Sequence, residues 1–314
     1  MNRTLTGPLL KQVSRSFYLT LRVLPKEIRP QISLAYLLAR ATDTIADTDA
    51  VPRAKRIVLL RELQSLTRVP DLGTLAANQA LPAERALLER LGDCLAMLDT
   101  FSAVDRRLIQ QLLHTIITGQ IFDFETFPEG TVTALRDDAA LDRYTYLVAG
   151  CVGEFWTRIC AAHLGTVLDE AAGIRFGKGL QLVNILRDIP KDLRMGRCYL
   201  PVPEPRRLLD PASFESVRPL YYRWLDIAVE HLDAGWQYTM AIPAKFWRLR
   251  LACIWPIWIG LGTVALLRRS NPLDPTVRIM VPQRDVNGML LRSVLTCRSA
   301  AALQRQYDRL RART

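Results

Sequence analysis

Apolar residues recur along most of the chain at intervals of three and four, the spacing of one face of an α-helix. No run of alternating apolar and polar residues reaches strand length. The pattern predicts helices over residues 30–48, 52–66, 82–98, 103–125, 135–164, 169–189, 213–240, 244–267 and 287–312. Connections are short, and no repeat or linker divides the sequence. We therefore expect an all-α protein in which residues 1–314 form a single domain.

The most apolar stretch, Leu251 to Leu267, carries no charged residue. A helix that crosses a bilayer needs about 20 such residues, and this stretch also contains Pro256. Arginines lie on both sides of it, Arg248 and Arg268 among them, so they give no one-sided bias. We expect a buried core helix rather than a membrane span.

Composition narrows the function without fixing it. A formal net charge of +11 favours anionic partners, which include nucleic acid, acidic lipid surfaces and phosphorylated substrates. The six cysteines contain no CxxC pair, and the N-terminal residues do not resemble a secretory signal. A cytoplasmic protein is the simplest expectation.

Two predicted helices end in a line of oxygen-bearing side chains. In the first segment Asp43 and Asp47 are four residues apart, so they share one helix face with Arg40. The second segment repeats the arrangement, with Asn184, Asp188 and Asp192 beside Arg187. Pro190 disturbs the second helix before Asp192, so we expect Asp192 on a loosened last turn.

Oxygen ligands at this spacing suit Mg²⁺, and neighbouring arginines suit the phosphates that complete its coordination. One DxxxD segment alone is more often a solvated pair on a helix surface. The repetition at the ends of two apolar helices favours a metal and phosphate site. The alternative is a basic helical protein that binds membrane or nucleic acid, with arginine-rich stretches such as 305–313 as its contact surface.

Five segments in order resemble the squalene/phytoene synthase family. They are Ser14-Arg15-Ser16-Phe17 with Leu24-Pro25, the segment from Arg40 to Asp47, the YxxxVAGxVG match from Tyr144 to Gly153, the segment from Gln181 to Asp192, and Gly196-Arg197-Cys198-Tyr199-Leu200-Pro201. Together they extend over most of the chain. The resemblance implies an isoprenoid synthase helical bundle around a central apolar cavity, with both aspartate segments at its mouth.

The family joins two prenyl diphosphates through a cyclopropyl diphosphate and then expels the remaining diphosphate. In the squalene branch NADPH reduces the final cation, whereas phytoene and dehydrosqualene synthases lose a proton instead. Asp43-Thr44 is similar to the squalene branch, because the phytoene branch commonly has two adjacent aspartates there. The resemblance thus implies two molecules of farnesyl diphosphate as substrate, with Mg²⁺ and NADPH as cofactors.

Carried over by position, the resemblance assigns three groups of residues. Mg²⁺ and diphosphate would be bound by Asp43, Asp47, Asn184, Asp188 and Asp192, and Tyr144 would move the proton released as the cyclopropane closes. Substrate contacts would come from Ser14, Arg15, Ser16, Tyr36, Arg40, Gln181, Asn184 and Arg187. The NADPH phosphate would meet Arg15, Arg40, Arg187, Arg278 and Arg284.

Two positions depart from the family pattern. Ala46 stands where squalene synthases often have an acidic residue, and Met280 stands where further positive charge is expected near Arg278. Arg284 compensates only after a small insertion. As partners we expect peripheral contact with the inner membrane surface and no nucleic acid, while the sequence leaves the oligomeric state open.

Overall fold

Helices make up most of the computed structural model, which describes residues 5–14 and 18–314. The chain divides into two compact units, Met1–Phe124 with Phe155–Gly165 (unit 1) and Glu125–Glu154 with Thr166–Thr314 (unit 2). The expectation of one domain over 1–314 stays a prediction, whereas the all-α class is confirmed.

Unit 1 begins with a short π-helical turn, Leu5–Leu9. Its helices are α1 (Leu10–Ser14), α2 (Tyr18–Val23), α3 (Arg29–Asp47), α4 (Arg53–Leu63), α5 (Gly73–Ala77), α6 (Pro82–Glu89), α7 (Leu91–Asp99) and most of α8 (Ala103–Thr126). Most of α10 (Cys151–Leu164) also belongs to this unit. Helix α3 is its central element, because eleven of its residues are buried.

Unit 2 contains α9 (Asp138–Thr145), α11 (Glu170–Arg194), α12 (Phe214–Ala241), α13 (Trp247–Leu267), α14 (Gln283–Thr296) and α15 (Ala300–Arg311). A π-helical turn, Tyr146–Gly150, follows α9 directly. Two-residue strands β1 (Thr133–Ala134) and β2 (Arg197–Cys198) pair in parallel, Thr133 opposite Arg197. Short 3₁₀ turns at Pro205–Leu209, Pro211–Ser213 and Ala244–Phe246 connect the longer helices.

Helix α13 contains the most apolar stretch of the chain and packs against α11 and α12. Among the described residues, the segment Ala244–Leu267 alone is long and apolar enough to cross a membrane by length and composition. Inside unit 2, 67% of its most apolar window is buried. This burial agrees with the prediction of a core helix.

Several predicted boundaries were wrong. The helix predicted over 82–98 breaks at Arg90, and the one predicted over 287–312 breaks before Ser299, whose side chain caps α15 by accepting from the Ala302 N–H. Helix α11 continues through Pro190 to Arg194, five residues beyond the predicted end. Apolar spacing alone missed these points, because breaks and continuations depend on local caps and packing.

Candidate functional site

The first aspartate segment forms the last turns of α3. Pro30 lies in the first turn of this helix, and Thr48 ends it with a non-helical backbone. The Thr48 hydroxyl donates a hydrogen bond to the Thr44 carbonyl at 2.6 Å. Because the opposite face of α3 is buried, the packing holds Asp43 on the face left partly open.

Asp43 lies among polar groups of three helices of unit 1. The Gln120 amide on α8 donates to Asp43 Oδ1 at 2.8 Å and to the Thr42 hydroxyl at 3.0 Å. Arg40 Nη1 lies 4.0 Å from Asp43 Oδ2, and its Nη2 donates to Glu84 on α6. Glu84 and Gln120 are polar neighbours that the sequence analysis missed, because no motif marks either one.

Asp43 has an unusual pKa for a surface aspartate. Burial, together with repulsion by Asp47, raises the pKa of Asp43 to about 7, while Arg40 and Gln120 act in the opposite direction. Its side chain nevertheless keeps 47% of its exposure. The carboxylate is therefore crowded by protein on one side and open to solvent on the other, which is favourable for binding a ligand that supplies positive charge.

The surroundings of Asp43 fit a cation. Gln120 Oε1 is buried and has no hydrogen-bond partner within the described part of the chain, so an acceptor oxygen beside the carboxylate is unmet. A divalent ion would relieve the repulsion between Asp43 and Asp47 and use oxygen ligands of the kind that magnesium prefers. Residues 5–14 and 18–314 contain no cluster of three or more histidine, cysteine, aspartate or glutamate side chains suited to a metal. The five predicted metal ligands thus stay a prediction.

The second aspartate segment lies near the end of α11 in unit 2. Arg187 donates to both carboxylate oxygens of Asp188, each at 2.7 Å, which neutralises this pair in the free protein. Asn184 is exposed, and Gln181 is half-buried. Asp192 lies on the final helical turn beyond Pro190, as the sequence indicated, although the turn is still α-helical.

Tyr144 lies in the last turn of α9 as a buried side chain with 8% exposure. Its hydroxyl donates to the Tyr199 hydroxyl at 3.1 Å, and the two rings stack with centroids 4.7 Å apart. Phe127 packs edge-on against Tyr199 with centroids 5.2 Å apart. Tyr199 is therefore a second phenol in contact with the predicted proton-transfer residue. Its place in the GRxYxP turn gave the signal, but its contact with Tyr144 requires the fold.

The glycines after Tyr144 bring two helices of unit 2 into backbone contact. A Cβ on Gly153 would lie 1.9 Å from the Gly173 carbonyl oxygen on α11, and one on Gly177 would lie 2.1 Å from the Ala149 carbonyl oxygen. No side chain larger than hydrogen fits at either position without moving a helix. The glycine-rich part of this motif is thus explained by close packing against α11, the helix that carries the second aspartate segment.

The predicted N-terminal substrate residues are only partly described. Arg15 and Ser16 lie outside the described residues. The Ser14 hydroxyl is buried and donates to the Leu10 carbonyl of its own helix at 2.5 Å. Tyr36 is half-buried on α3, and its hydroxyl donates to the Val13 carbonyl at 3.4 Å, which links α3 to α1.

The two C-terminal arginines predicted to meet NADPH are both exposed. Arg278 contacts the Met280 sulfur at 3.7 Å, and Arg284 lies 3.7 Å from its sequence neighbour Asp285 with 88% of its side chain exposed. Exposed side chains with such loose contacts can reorient towards an incoming phosphate at little cost.

Comparison with known proteins places this arrangement in a family. The model of the squalene/phytoene synthase family matches residues 10–285, and the chain belongs to that family. A presqualene diphosphate synthase from Rhodopseudomonas palustris is 34% identical over 190 residues, which cover 59% of this chain and 58% of that protein. A squalene synthase from Yarrowia lipolytica is 30% identical over 197 residues, covering 62% of this chain and 44% of the relative. Other relatives are named phytoene synthases.

A solved structure of TcSQS with the ligand E5700 has the same fold. It superposes with a TM-score of 0.79 at 19% identity, covering 99% of this chain and 90% of the other. The expected helical isoprenoid synthase fold is confirmed. The chain spans less than two thirds of the length of three curated relatives that it matches. The names of these relatives refer to more than one reaction. Membership supports a prenyltransferase-like enzyme and leaves the particular reaction to be proposed.

Proposed function

We propose that this protein is a squalene synthase, which condenses two farnesyl diphosphates head to head through presqualene diphosphate and reduces the product with NADPH. The observation that carries the proposal is the Asp43 carboxylate, held beside Asp47 with a raised pKa and flanked by Arg40 and the unmet Gln120 oxygen. Such a group favours a ligand that brings a divalent cation. Relatives named squalene synthase and presqualene diphosphate synthase support the branch.

Each residue has a definite task in this proposal. Asp43 and Asp47 would bind Mg²⁺ in unit 1, and Asn184, Asp188 and Asp192 would bind Mg²⁺ in unit 2. Magnesium would neutralise the charge of the departing diphosphate. Arg40 and Arg187 would contact phosphate oxygens. Their present hydrogen bonds to Glu84 and Asp188 would then have to break or be shared with the phosphate.

Tyr144 would relay the proton released when the cyclopropane ring closes. As its hydroxyl takes up that proton, it would pass its own proton along its hydrogen bond to Tyr199, and an oxygen of the diphosphate already released would be the final acceptor. Apolar surroundings would exclude water from the cationic carbons. NADPH would supply hydride to the last cation, with Arg278 and Arg284 on its phosphate.

The decisive experiment measures products from farnesyl diphosphate and Mg²⁺ with and without NADPH. We expect squalene with NADPH, and presqualene diphosphate or dehydrosqualene without it. Identical desaturated products in both tubes would exclude hydride transfer and assign the protein to the phytoene and dehydrosqualene branch. No turnover of farnesyl or geranylgeranyl diphosphate, combined with salt-sensitive binding of nucleic acid, would instead support the basic binding protein.

Two variants test the assignment of Arg278 and Arg284 to the NADPH phosphate. Arg278→Ala or Arg284→Ala should raise the NADPH concentration needed for half-maximal squalene formation about tenfold, the loss expected for one charged contact with phosphate. Formation of presqualene diphosphate should be unaffected. Arg298→Ala provides the control, because this arginine is also exposed in the C-terminal region. An unchanged NADPH requirement in both variants would place the cofactor elsewhere.

A further inference from the structure

A cavity of about 390 Å³ lies in unit 2 between α13, α14 and α15. Helices α14 and α15 lie almost entirely beyond residue 285, where the match to the family model ends. No residue assigned to catalysis or to the cofactor lines the cavity. Its volume falls in the range of small-molecule pockets, about 300 to 1,000 Å³.

The floor of the cavity is apolar and the rim is basic. Floor residues include Trp258, Gly262, Leu266, Val281, Met289 and Leu310, and the rim carries Arg269, Arg292, Arg309 and Arg313. Asp285 is the single acidic lining residue, and it already lies 3.7 Å from Arg284. The rim therefore has a clear excess of positive charge.

The rim arginines differ from their neighbours on the same helices. Arg268 bonds to Asp226, and Arg311 donates to Asp233 at 2.9 Å, so these two arginines are neutralised. None of the four rim arginines has an ion pair within residues 5–14 and 18–314. Cations of like sign gathered around one opening repel one another, and an anion in the opening removes that cost.

One lining residue of the cavity, Trp258, has an unmet hydrogen-bond donor. Trp258 is 1% exposed, and its indole N–H has no hydrogen-bond partner in the described part of the chain. A buried donor without an acceptor is unfavourable, because it has lost its hydrogen bond to water. An occupant with acceptor oxygens as well as apolar groups would suit this lining better than a purely apolar molecule.

The surface beside the cavity is apolar. Leu291, Val294 and Leu295 are 62%, 46% and 75% exposed, and their spacing of three and four places them on one face of α14. Val277 and Met280, in the segment that precedes α14, are 41% and 52% exposed. Five large apolar side chains exposed around a basic rim are typical of a surface that lies in a membrane interface.

We propose that this face binds an anionic phospholipid in a bilayer, with the phosphate between the rim arginines and the apolar side chains of α14 in the acyl boundary. A soluble phosphate would satisfy the arginines but leave Leu291 and Leu295 in water. A second copy of this chain carries the same positive rim, so its approach would be repelled. The proposal is independent of which prenyl reaction the enzyme carries out.

The test is partition of the whole protein onto vesicles, measured by sedimentation. Vesicles of phosphatidylcholine with about a third phosphatidylglycerol should bind the protein, and phosphatidylcholine alone should bind it at least tenfold more weakly, because each basic side chain near an anionic surface contributes about fivefold. Equal binding to both vesicles would overturn the proposal.

Two charge-matched double variants test the site rather than net charge. Arg309→Gln with Arg313→Gln should lower partition about 25-fold, following the same fivefold per residue. Arg206→Gln with Arg248→Gln removes the same charge from exposed positions that do not line the cavity, Arg248 being at the opposite end of α13, and should lower partition less than threefold. Equal losses in the two variants would show diffuse attraction and overturn the site.

The apolar contribution and the rival occupants are tested separately. Leu295→Ser should weaken binding to phosphatidylglycerol vesicles about tenfold, the value of one leucine moved from water into the interface. Titration with inorganic diphosphate without vesicles should show no saturable binding below millimolar concentrations that Arg309→Gln with Arg313→Gln removes, because any diphosphate bound at the aspartate segments is unaffected by these two changes. Tight diphosphate binding abolished by Arg309→Gln with Arg313→Gln, or a lipid-independent dimer abolished by Leu295→Ser, would assign the face to those occupants and overturn the proposal.

Discussion

Replacing Asp43 with asparagine should stabilise the metal-free protein. In that protein burial and the neighbouring Asp47 move the pKa of Asp43 from 3.8 to about 7. At about 1.4 kcal/mol per unit, ionising Asp43 at neutral pH costs about 4 kcal/mol before screening. Since 47% of the side chain is exposed, solvent reduces this cost to about 1 to 2 kcal/mol. Asp43→Asn removes the charge at nearly constant volume.

The pH dependence fixes the sign of this effect. Between pH 4 and 7 the folded protein holds a proton on Asp43 that the unfolded chain has lost, so the free energy of unfolding falls as pH rises. The advantage of Asp43→Asn should be absent below pH 4, grow towards pH 7 and then level off. Thermal or urea unfolding at several pH values measures it. Asp99→Asn, at the exposed end of α7, should change stability by less than about 0.5 kcal/mol throughout.

Mg²⁺ with inorganic diphosphate should stabilise the parent protein much more than Asp43→Asn. Adding Mg²⁺ with inorganic diphosphate should raise the unfolding temperature of the parent, because a ligand that binds only the folded state stabilises it. Asp43→Asn should gain little under the same conditions and should form neither presqualene diphosphate nor squalene. A variant that is no more stable at pH 7, responds fully to Mg²⁺ and diphosphate, and turns over within a few-fold of the parent would refute both the electrostatic reasoning and the metal assignment.

Three further predictions concern unit 2. Gly153→Ala should destabilise the protein by about 3 kcal/mol in urea unfolding, because the added Cβ meets the Gly173 carbonyl. Gly288→Ala has only the Arg292 side chain nearby and should stabilise the protein by up to about 1 kcal/mol, so equal effects of the two variants would refute the packing argument. Tyr144→Phe should slow formation of presqualene diphosphate about 10²- to 10⁴-fold in single-turnover assays while sparing diphosphate binding, and a parental rate would make it a packing residue. Burial and the neighbouring cations lower the pKa of His231 to about 4, so the protein should lose about 1 to 2 kcal/mol of stability as pH falls from 6.5 to 4. His231→Gln should remove this loss. An unchanged pH profile of stability in the variant would contradict the role of His231.

The helical class, the two aspartate segments and the family could all be predicted from the sequence. These features are local or ordered along the chain: helical periodicity needs only spacing, and Asp43 and Asp47 share a helix face wherever the helix packs. The burial of the stretch from Leu251 to Leu267 also followed from its composition. Five ordered motifs sufficed for the family, because each one can be read without knowing its neighbours in space.

The distant side chains that complete each site could be identified only from the folded structure. Glu84 and Gln120 reach the first aspartate segment from other helices, and nothing in their own sequence context marks them. Tyr199 meets Tyr144 only after the chain between them has folded. Contacts between residues far apart in sequence depend on helix packing, which a periodic pattern does not encode. For the same reason, the four arginines around the cavity of unit 2 could be recognised as a group only once three helices had brought them together.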